Sequence, residues 1–394
     1  MVQLPRHRSG IDALVASTFA PLAIPCRALT PSLTPPDTGI DMDSPHERMR
    51  FYLREIGQGP RTGRDLTREE ARDAMEMVLT QQCTSAQLGG LLLLQRFKGE
   101  SPDELWGFAD AVRSRAKLIH PRVEGLLDVG SPYDGRKKSI VVSPASSIVA
   151  SAAGVPVVMH GERDMGPKHG VPIGDVLGEL GIDVDSAQDD VAASIEEFGL
   201  GYMRSERSVP DVFALKDVRE EVALRTVFAT IEKIYNLANA DYSIIGLTHF
   251  PYMEKMMKAA TNMGFKRIMI VQGIEGNEDV PTSRPSRVFE WSGAEPREWR
   301  LEPSDYALQP ATKEEMAGGD ATYNAEIAAA IFEGKPGAYR DLVLLNAGLR
   351  IYLAERAETV EDGIGKAREA IDSGAAKAKL DVLRESASVR PRKP

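Results

Sequence analysis

The sequence predicts an α/β fold with a small all-helical domain, its mostly parallel sheet flanked by helices. Three observations predict it. Helix-start signatures crowd the stretch from Ser44 to Glu104. Short apolar strands then alternate with helical patterns, as parallel sheets require. Glycine-rich and charged loops follow those strands, at the end where open α/β sheets hold ligands. The 394 residues suffice for two domains. A net charge of -10 argues against a generally nucleic-acid-binding surface, though not against a local basic groove. The two cysteines, Cys26 and Cys83, exclude a disulfide framework and a cysteine-based metal cluster. No apolar run is long enough to span a bilayer, so no membrane partner is expected, and the expected location is cytoplasmic.

Taken in order, residues 1–43 read as a disordered leader, rich in proline and small residues and poor in acids; a targeting peptide or an over-long start site is the alternative. Order begins at Ser44. "SPHE" at 44–47, "TREE" at 67–70, "TSAQ" at 84–87 and "SPDE" at 101–104 are capping boxes, each with a side-chain acceptor for the first turn and an acid or amide reaching back. They define a helical domain over 44–118, joined by helices from 207–240. Its "LGGLLLLQRF" segment carries more apolar surface than a short bundle hides, which predicts a homodimer. "GLLDVG", "SIVVS", "VPVVM", "YSIIGLTH" and "KRIMIVQG" are strands of an α/β domain over 119–206 and 241–385, and 386–394 is a frayed tail.

The loops carry the chemistry. In "DVGSPYDGRKKS", Gly130 and Gly135 permit close backbone approach, and Arg136, Lys137 and Lys138 favour phosphate; a surface turn with a solvated basic run is the alternative. Ser143 opens a small-residue helix, as a cap or facing a phosphate or metal. His160-Gly161 falls just after "VPVVM" and is the ligand-facing histidine, whereas His169-Gly170 reads as a turn into the next helix with Lys168 at the rim. Glu278-Asp279 follow a glycine-rich turn, either as oxygen ligands for magnesium or as a solvated pair.

These elements, in this order, resemble anthranilate phosphoribosyltransferase and the nucleoside phosphorylases that share its fold, from Ser44 to about Arg384. "LTREEA" and "FKGESPDEL" look like the family's first helices, and "GSPYDG" stands at its GTGGDG loop. Ser143 matches the serine of N-I-S-T, and His160, Gly161 and Arg163 match K-H-G-N-R. "REEVALRTVFATIEKIYN" matches the segment bearing two arginines, here Arg219 and Arg225. "GIEGNED" matches the metal loop with its acids reversed, and "GGDATYNAEI", "RDLVLLNAG" and "AIDSGAA" match the last helices. The resemblance implies phosphoribosyl transfer from phosphoribosyl diphosphate to an aromatic acceptor, with Mg2+ as cofactor. It implies that Gly130, Ser131, Asp134, Gly135 and Arg136 to Lys138 hold the diphosphate and that Ser143, Glu278 and Asp279 organise the metal. Arg219 and His160 would support the transition state beside the acceptor, with Gly161, Arg163 and Arg225 nearby.

The sequence departs from the family at Ser131, Pro132, Tyr133, Val141, Met159, Glu162 and Ala229. Proline removes an N–H donor and tyrosine adds bulk at the diphosphate loop. These departures point away from anthranilate itself as acceptor. They also resemble a subgroup of paralogues that bind nucleic acid. In that alternative a groove lined by Arg113, Arg115, Lys117, Arg122, Arg136, Lys137, Lys138, Arg163 and Lys168 follows a phosphate backbone without catalysis.

Overall fold

A computed structural model of the chain describes residues 41–59 and 62–389. The leader expected over 1–43 lies outside the described residues except at 41–43, and the tail expected over 386–394 lies outside them beyond 389. Helices α1 (Pro45–Gly57), α2 (Arg68–Leu79), α3 (Ser85–Lys98) and α4 (Pro102–Arg115) come first. Thr67, Thr84 and Ser101 each form a complete capping box with Glu70, Gln87 and Glu104. Ser44 departs from expectation. It is the N-cap residue of α1, but its side chain makes no cap hydrogen bond, and Glu47 pairs with Arg50 at 2.7 Å instead of reaching back. Helices α2 and α4 meet at Gly107, where a Cβ would stand 2.4 Å from the carbonyl oxygen of Arg68.

The chain then runs through β1 (Leu127–Gly130), α5 (Ser143–Ala152), β2 (Val157–Gly161), α6 (Ile173–Glu179), α7 (Gln188–Phe198) and β3 (Leu200–Arg204). Four short helices follow: α8 (Ser205–Ser208), α9 (Pro210–Phe213), α10 (Lys216–Val222) and α11 (Phe228–Ile231). Next come β4 (Tyr242–Leu247), α12 (Phe250–Ala260), β5 (Arg267–Gln272), β6 (Ser286–Trp291) and β7 (Arg297–Leu301). Helices α13 (Ala321–Phe332), α14 (Ala338–Leu353), α15 (Val360–Asp372) and α16 (Ala375–Val389) close the chain.

The sheet order is β3-β2-β1-β4-β5-β6-β7. The first five strands in that order are parallel, and β6 and β7 are antiparallel additions at one edge. From β1 the chain winds outward through β2 and β3, then returns to β4 on the other side of β1. The winding therefore reverses between β1 and β4, and the crevice beyond their carboxyl ends is the place a ligand fits. "SIVVS" is not a strand. Ile140 donates to Met316 O at 3.0 Å and Val141 to the Asn324 side chain at 2.7 Å, so its backbone pairs with loop and side-chain acceptors.

Alternate residues of each strand feed two cores, as the period of two requires. Ile244, Met269 and Val271 join α5, α6 and α13–α16 on one face. Ile245, Ile268 and Ile270 join α7, α12 and the four N-terminal helices on the other. The helical unit thus shares a continuous core with the sheet. The 207–240 segment packs beside it: Ile119 donates to Leu237 O at 3.0 Å and Lys117 to Ser208 O at 2.8 Å. In α3, Leu91 and Leu92 are buried, whereas Phe97 is 92% exposed. Among the described residues no helix is long and apolar enough to cross a membrane.

Candidate active site

The loop leaving β1 is buried from Ser131 to Arg136. It cannot be splayed outward, because it is stitched to the segment after the second His-Gly pair. Gly170 donates to Asp134 O at 2.9 Å, Arg136 to Val171 O at 3.0 Å and Val171 to Arg136 O at 2.7 Å. Gly135 has φ +69°, and a Cβ there would stand 2.6 Å from Val171 C; one on Gly170 would stand 2.5 Å from Arg136 C. The second His-Gly is therefore more than a turn: its glycine lets the β1 loop lie against it. Arg225 reaches this loop from the far segment, with its Nε 3.1 Å from Asp134 Oδ2.

Two groups expected to face ligand, His160 and Arg219, are held in buried pairs. His160 and Gly161 are the last residues of β2 rather than part of a loop. The His160 ring meets Asp128 through Nε2 at 3.1 Å and the Tyr133 hydroxyl through Nδ1 at 2.9 Å. Burial opposes charging of His160, but the Asp128 carboxylate outweighs it and raises the imidazole pKa. Arg219 donates to Glu232 at 3.2 Å, and the other oxygen of Glu232 accepts the Tyr133 backbone N–H at 2.8 Å. Glu232 therefore takes a donor of the β1 loop and the guanidinium together. Burial pushes its carboxyl upward, with Arg219 pulling the other way.

The acid pair is not solvated. Glu278 and Asp279 are both fully buried after β5. Ser143, the first residue of α5, caps no helix; its hydroxyl donates to Glu278 and accepts from Arg350 at 2.8 Å. Arg350 also donates to Asp279 at 2.9 Å, and Arg136 pairs with the second Asp279 oxygen and donates to Ile140 O at 2.6 Å. Burial opposes ionisation of Glu278, yet Arg136 and Arg350 hold its carboxyl below the ordinary range. Two carboxylates face two guanidinium groups, so the cluster carries no net charge.

That arrangement sets how magnesium would fit. Both Asp279 oxygens are taken. Glu278 Oε2 and Ser131 Oγ are both buried, and the Ser131 hydroxyl helps hold the Glu278 carboxyl low, so one carboxylate oxygen and the hydroxyl beside it are what the site offers a hard cation. The residues fit the ion through Glu278 and not through Asp279.

Lys137 and Lys138 are exposed, and it is their backbone N–H groups that are engaged. With the Ser139 hydroxyl at 2.6 Å and Lys168 at 3.1 Å, Lys138 N at 2.9 Å surrounds the carboxylate of Glu275, a residue with φ +53°. Burial resists ionisation there, but these partners bring the Glu275 carboxyl down to about 2. Arg163 lies apart, pairing with Asp175 at 3.0 Å on an acidic surface. Arg115 and Arg122 likewise pair with Asp211 and Glu196, and Arg113 donates to Tyr235 O. A nucleic-acid backbone would have to displace these acids from most of its expected groove.

A cavity of about 320 Å³ opens beyond the carboxyl end of β4, beside the end of α3 and against α11. Arg96, Arg225, Lys233 and His249 line it together with Leu247 and Tyr252. Lys233 donates to Gly246 O at 2.6 Å and Gly276 O at 2.9 Å. Burial, with Arg225 adding to it, pushes the Lys233 ammonium down to about 7. Sequence reasoning missed Lys233, Glu232, Glu275 and Arg350 as site residues. The available signal was a charge inside an apolar run: "TIEKIY" for the first two and "LNAGLRIYL" for the last.

Residues 52–116 match the glycosyl transferase family helical bundle domain, and residues 128–377 match the glycosyl transferase family a/b domain. The anthranilate phosphoribosyltransferase of Methanocorpusculum labreanum is 36% identical over 321 residues, 81% of this chain and 93% of its own length. That of Haloferax volcanii is 37% identical over 325 residues, covering 82% and 97%. The crystal structure of the Thermus thermophilus enzyme superposes with a TM-score of 0.77 at 27% identity, over 87% of this chain and 99% of that one. The Saccharomyces cerevisiae enzyme in complex with PRPP and Mg shares the fold, with a TM-score of 0.76 at 20% identity over 87% and 98%. By its two matched domains, its relatives and its fold, this chain belongs to the anthranilate phosphoribosyltransferase-like glycosyl transferase family, a family of phosphoribosyltransferase enzymes.

Proposed function

We propose that the protein moves a phosphoribosyl group from phosphoribosyl diphosphate to a small aromatic acceptor other than anthranilate. One observation carries this reading. The loops after β1 and β5 and the start of α5, remote in sequence, converge on one buried charged cluster, with Arg136 on Asp279 and Ser143 on Glu278. A ligand carrying diphosphate suits such a place. The cluster's own charges cancel, so it neither repels nor strongly attracts an anion by itself, and the N–H groups of Ser131, Tyr133, Gly135 and Arg136 already have acceptors that a diphosphate would have to replace. Glu278 and Ser131 would hold a magnesium ion, which supplies charge neutralisation for the leaving diphosphate. Because the guanidinium groups already balance the acids, the ion is held only when the ligand brings further negative charge.

The acceptor is argued from what is occupied. Arg219 is bound by Glu232, and both ring nitrogens of His160 have partners. An anthranilate carboxylate seeking Arg219 would first have to displace a buried carboxylate. Phosphoribosyl transfer needs little acid–base work, since charge builds on the leaving diphosphate and the sugar ring. Arg136, and Arg225 through Asp134, fix the diphosphate loop, and Tyr133 and Glu232 close off the inner side.

Calorimetry with phosphoribosyl diphosphate, with and without magnesium, tests the reading. The native protein should show a magnesium-dependent gain in affinity that Glu278→Gln abolishes, while circular dichroism shows that the variant is folded. Anthranilate consumption, followed by its fluorescence, should stay at background. Absence of phosphoribosyl diphosphate binding under both conditions would reject the transferase reading, and rapid anthranilate consumption would reject the acceptor assignment.

A further inference from the structure

The loop between β2 and α6 is tied down on two sides. On its inner side Gly170 and Val171 donate into the loop after β1, at Asp134 O and Arg136 O. On its outer side it meets α10, the helix that carries Arg219. There the Glu220 carboxylate fills the space a side chain on Gly166 would need, since a Cβ at Gly166 would stand 2.2 Å from Glu220 Oε1. Asp164, from the same loop, lies 3.7 Å from Lys216 of α10. His169 and Asp164 both have positive φ, +47° and +44°, a backbone form that neither residue prefers and that surrounding contacts must hold in place.

His169 sits between the two carboxylates. Its Nδ1 is 3.0 Å from Asp164 Oδ1 and its Nε2 is 2.9 Å from Glu220 Oε2. An ionised carboxylate only accepts, so each contact needs an N–H on the ring, and only the imidazolium carries two. His160 differs in this respect. One of its partners is the Tyr133 hydroxyl, which can itself donate, so a neutral ring satisfies that site. A neutral His169 would keep one N–H and turn a lone pair toward the other carboxylate, and that contact would then repel. The charged groups facing the ring are Asp164 from its own loop and Glu220 from α10, with Lys216 of α10 behind Asp164.

We propose that His169 is a positioning residue, a latch that fastens the loop between β2 and α6 to α10 while its ring is protonated and lets that loop loosen as pH rises. The hydrogen bonds to Asp164 and Glu220 raise its pKa above the ordinary 6.5. The latch is therefore complete below pH 6.5 and is lost as pH rises through the higher folded value. Loosening reaches the site because the same loop braces the loop after β1 through Gly170 and Val171. That the braced loop holds a diphosphate rests on the phosphoribosyl-transfer reading; the latch itself does not.

The test is hydrogen exchange on the full chain without ligand, read in peptides spanning residues 164–171 from pH 6 to pH 9 and corrected for the intrinsic rate. Native protection there should fall about tenfold across that window. His169→Gln should show the low protection already at pH 6. His169→Lys, a cation that does not titrate in the window, should keep the high protection at pH 9. His169 is exposed, so both variants should fold. Lys233 titrates in the same window, so the difference between native and variant protein is the readout. Affinity for inorganic diphosphate, measured by calorimetry on the same proteins, should follow the same pattern. The inference is overturned if native protection does not change with pH, if His169→Gln keeps the native pH dependence, or if His169→Lys loses protection with pH as the native protein does. Inorganic diphosphate that binds at no pH counts against the transferase reading alone, because the exchange data still decide the latch.

Discussion

Lys233 makes a quantitative prediction about stability. Its folded pKa lies near 7 and its unfolded value near 10.5. Below pH 7 the native protein buries a charged ammonium. Above pH 7 the native side chain is neutral while the unfolded one stays protonated up to about 10.5. The unfolded state then binds more protons, so stability rises with pH across that window. Each unit of pH contributes about 1.4 kcal/mol, so the change from pH 6 to pH 9 is about 2.5 kcal/mol. Lys233→Met removes this contribution at every pH. It also costs the two hydrogen bonds to Gly246 O and Gly276 O, but that loss is the same at both pH values and cancels in the comparison. Urea melts of native and variant protein at pH 6, 7.5 and 9 give the difference directly, because every other titrating group is common to both. The native protein should gain about 2–3 kcal/mol on the variant between the extremes. A difference that stays flat, or that moves the other way, would show that Lys233 is not a buried low-pKa lysine.

Glu275→Gln should lower stability by about 1–2 kcal/mol at pH 7, a value discounted for partial exposure, and should loosen residues 137–139 in hydrogen exchange. The depressed Glu275 pKa places its contribution above pH 4.5 and removes it as pH falls toward 2, so native and variant melts should converge in acid. Arg350→Met takes one of two guanidinium partners from Asp279 and one donor from Ser143, leaving the buried cluster a net negative charge, and should cost about 3–5 kcal/mol in urea melts. Gly246→Ala should fail to give a stable fold, because the added Cβ would stand 1.8 Å from Asn277 C.

What could be read from sequence follows from how local each signal is. Three capping boxes were legible because donor and acceptor lie three residues apart. Strands β1, β2, β4 and β5 were legible as apolar runs between helical patterns. Strand β3, "LGYMR", was not, since Gly201 interrupts so short an apolar run, and the antiparallel pair β6 and β7 carries the charged faces of a sheet edge. "SIVVS" misled because apolar β-branched residues signal burial, and here burial comes without a strand partner. At the site, residues in strand-end loops could be placed by topology. Their partners could not: Glu232 meets Tyr133 across 99 positions and Arg350 meets Ser143 across 207. No spacing rule reaches that far.

The Arg350 contacts bear on the order in which the chain is made. Ser143, Arg136 and the acid pair are synthesised well before α14, and N-terminal segments begin to fold during synthesis. Until Arg350 emerges, Asp279 lacks one guanidinium and Ser143 one donor. A nascent chain stopped before α14 also lacks α14, α15 and α16, three of the helices that cover one face of the sheet. Such a fragment presents acids and apolar strand residues together, a surface that chaperones and proteases read as unfinished. The helix that completes the charge balance is thus also the one that begins to close that face of the sheet.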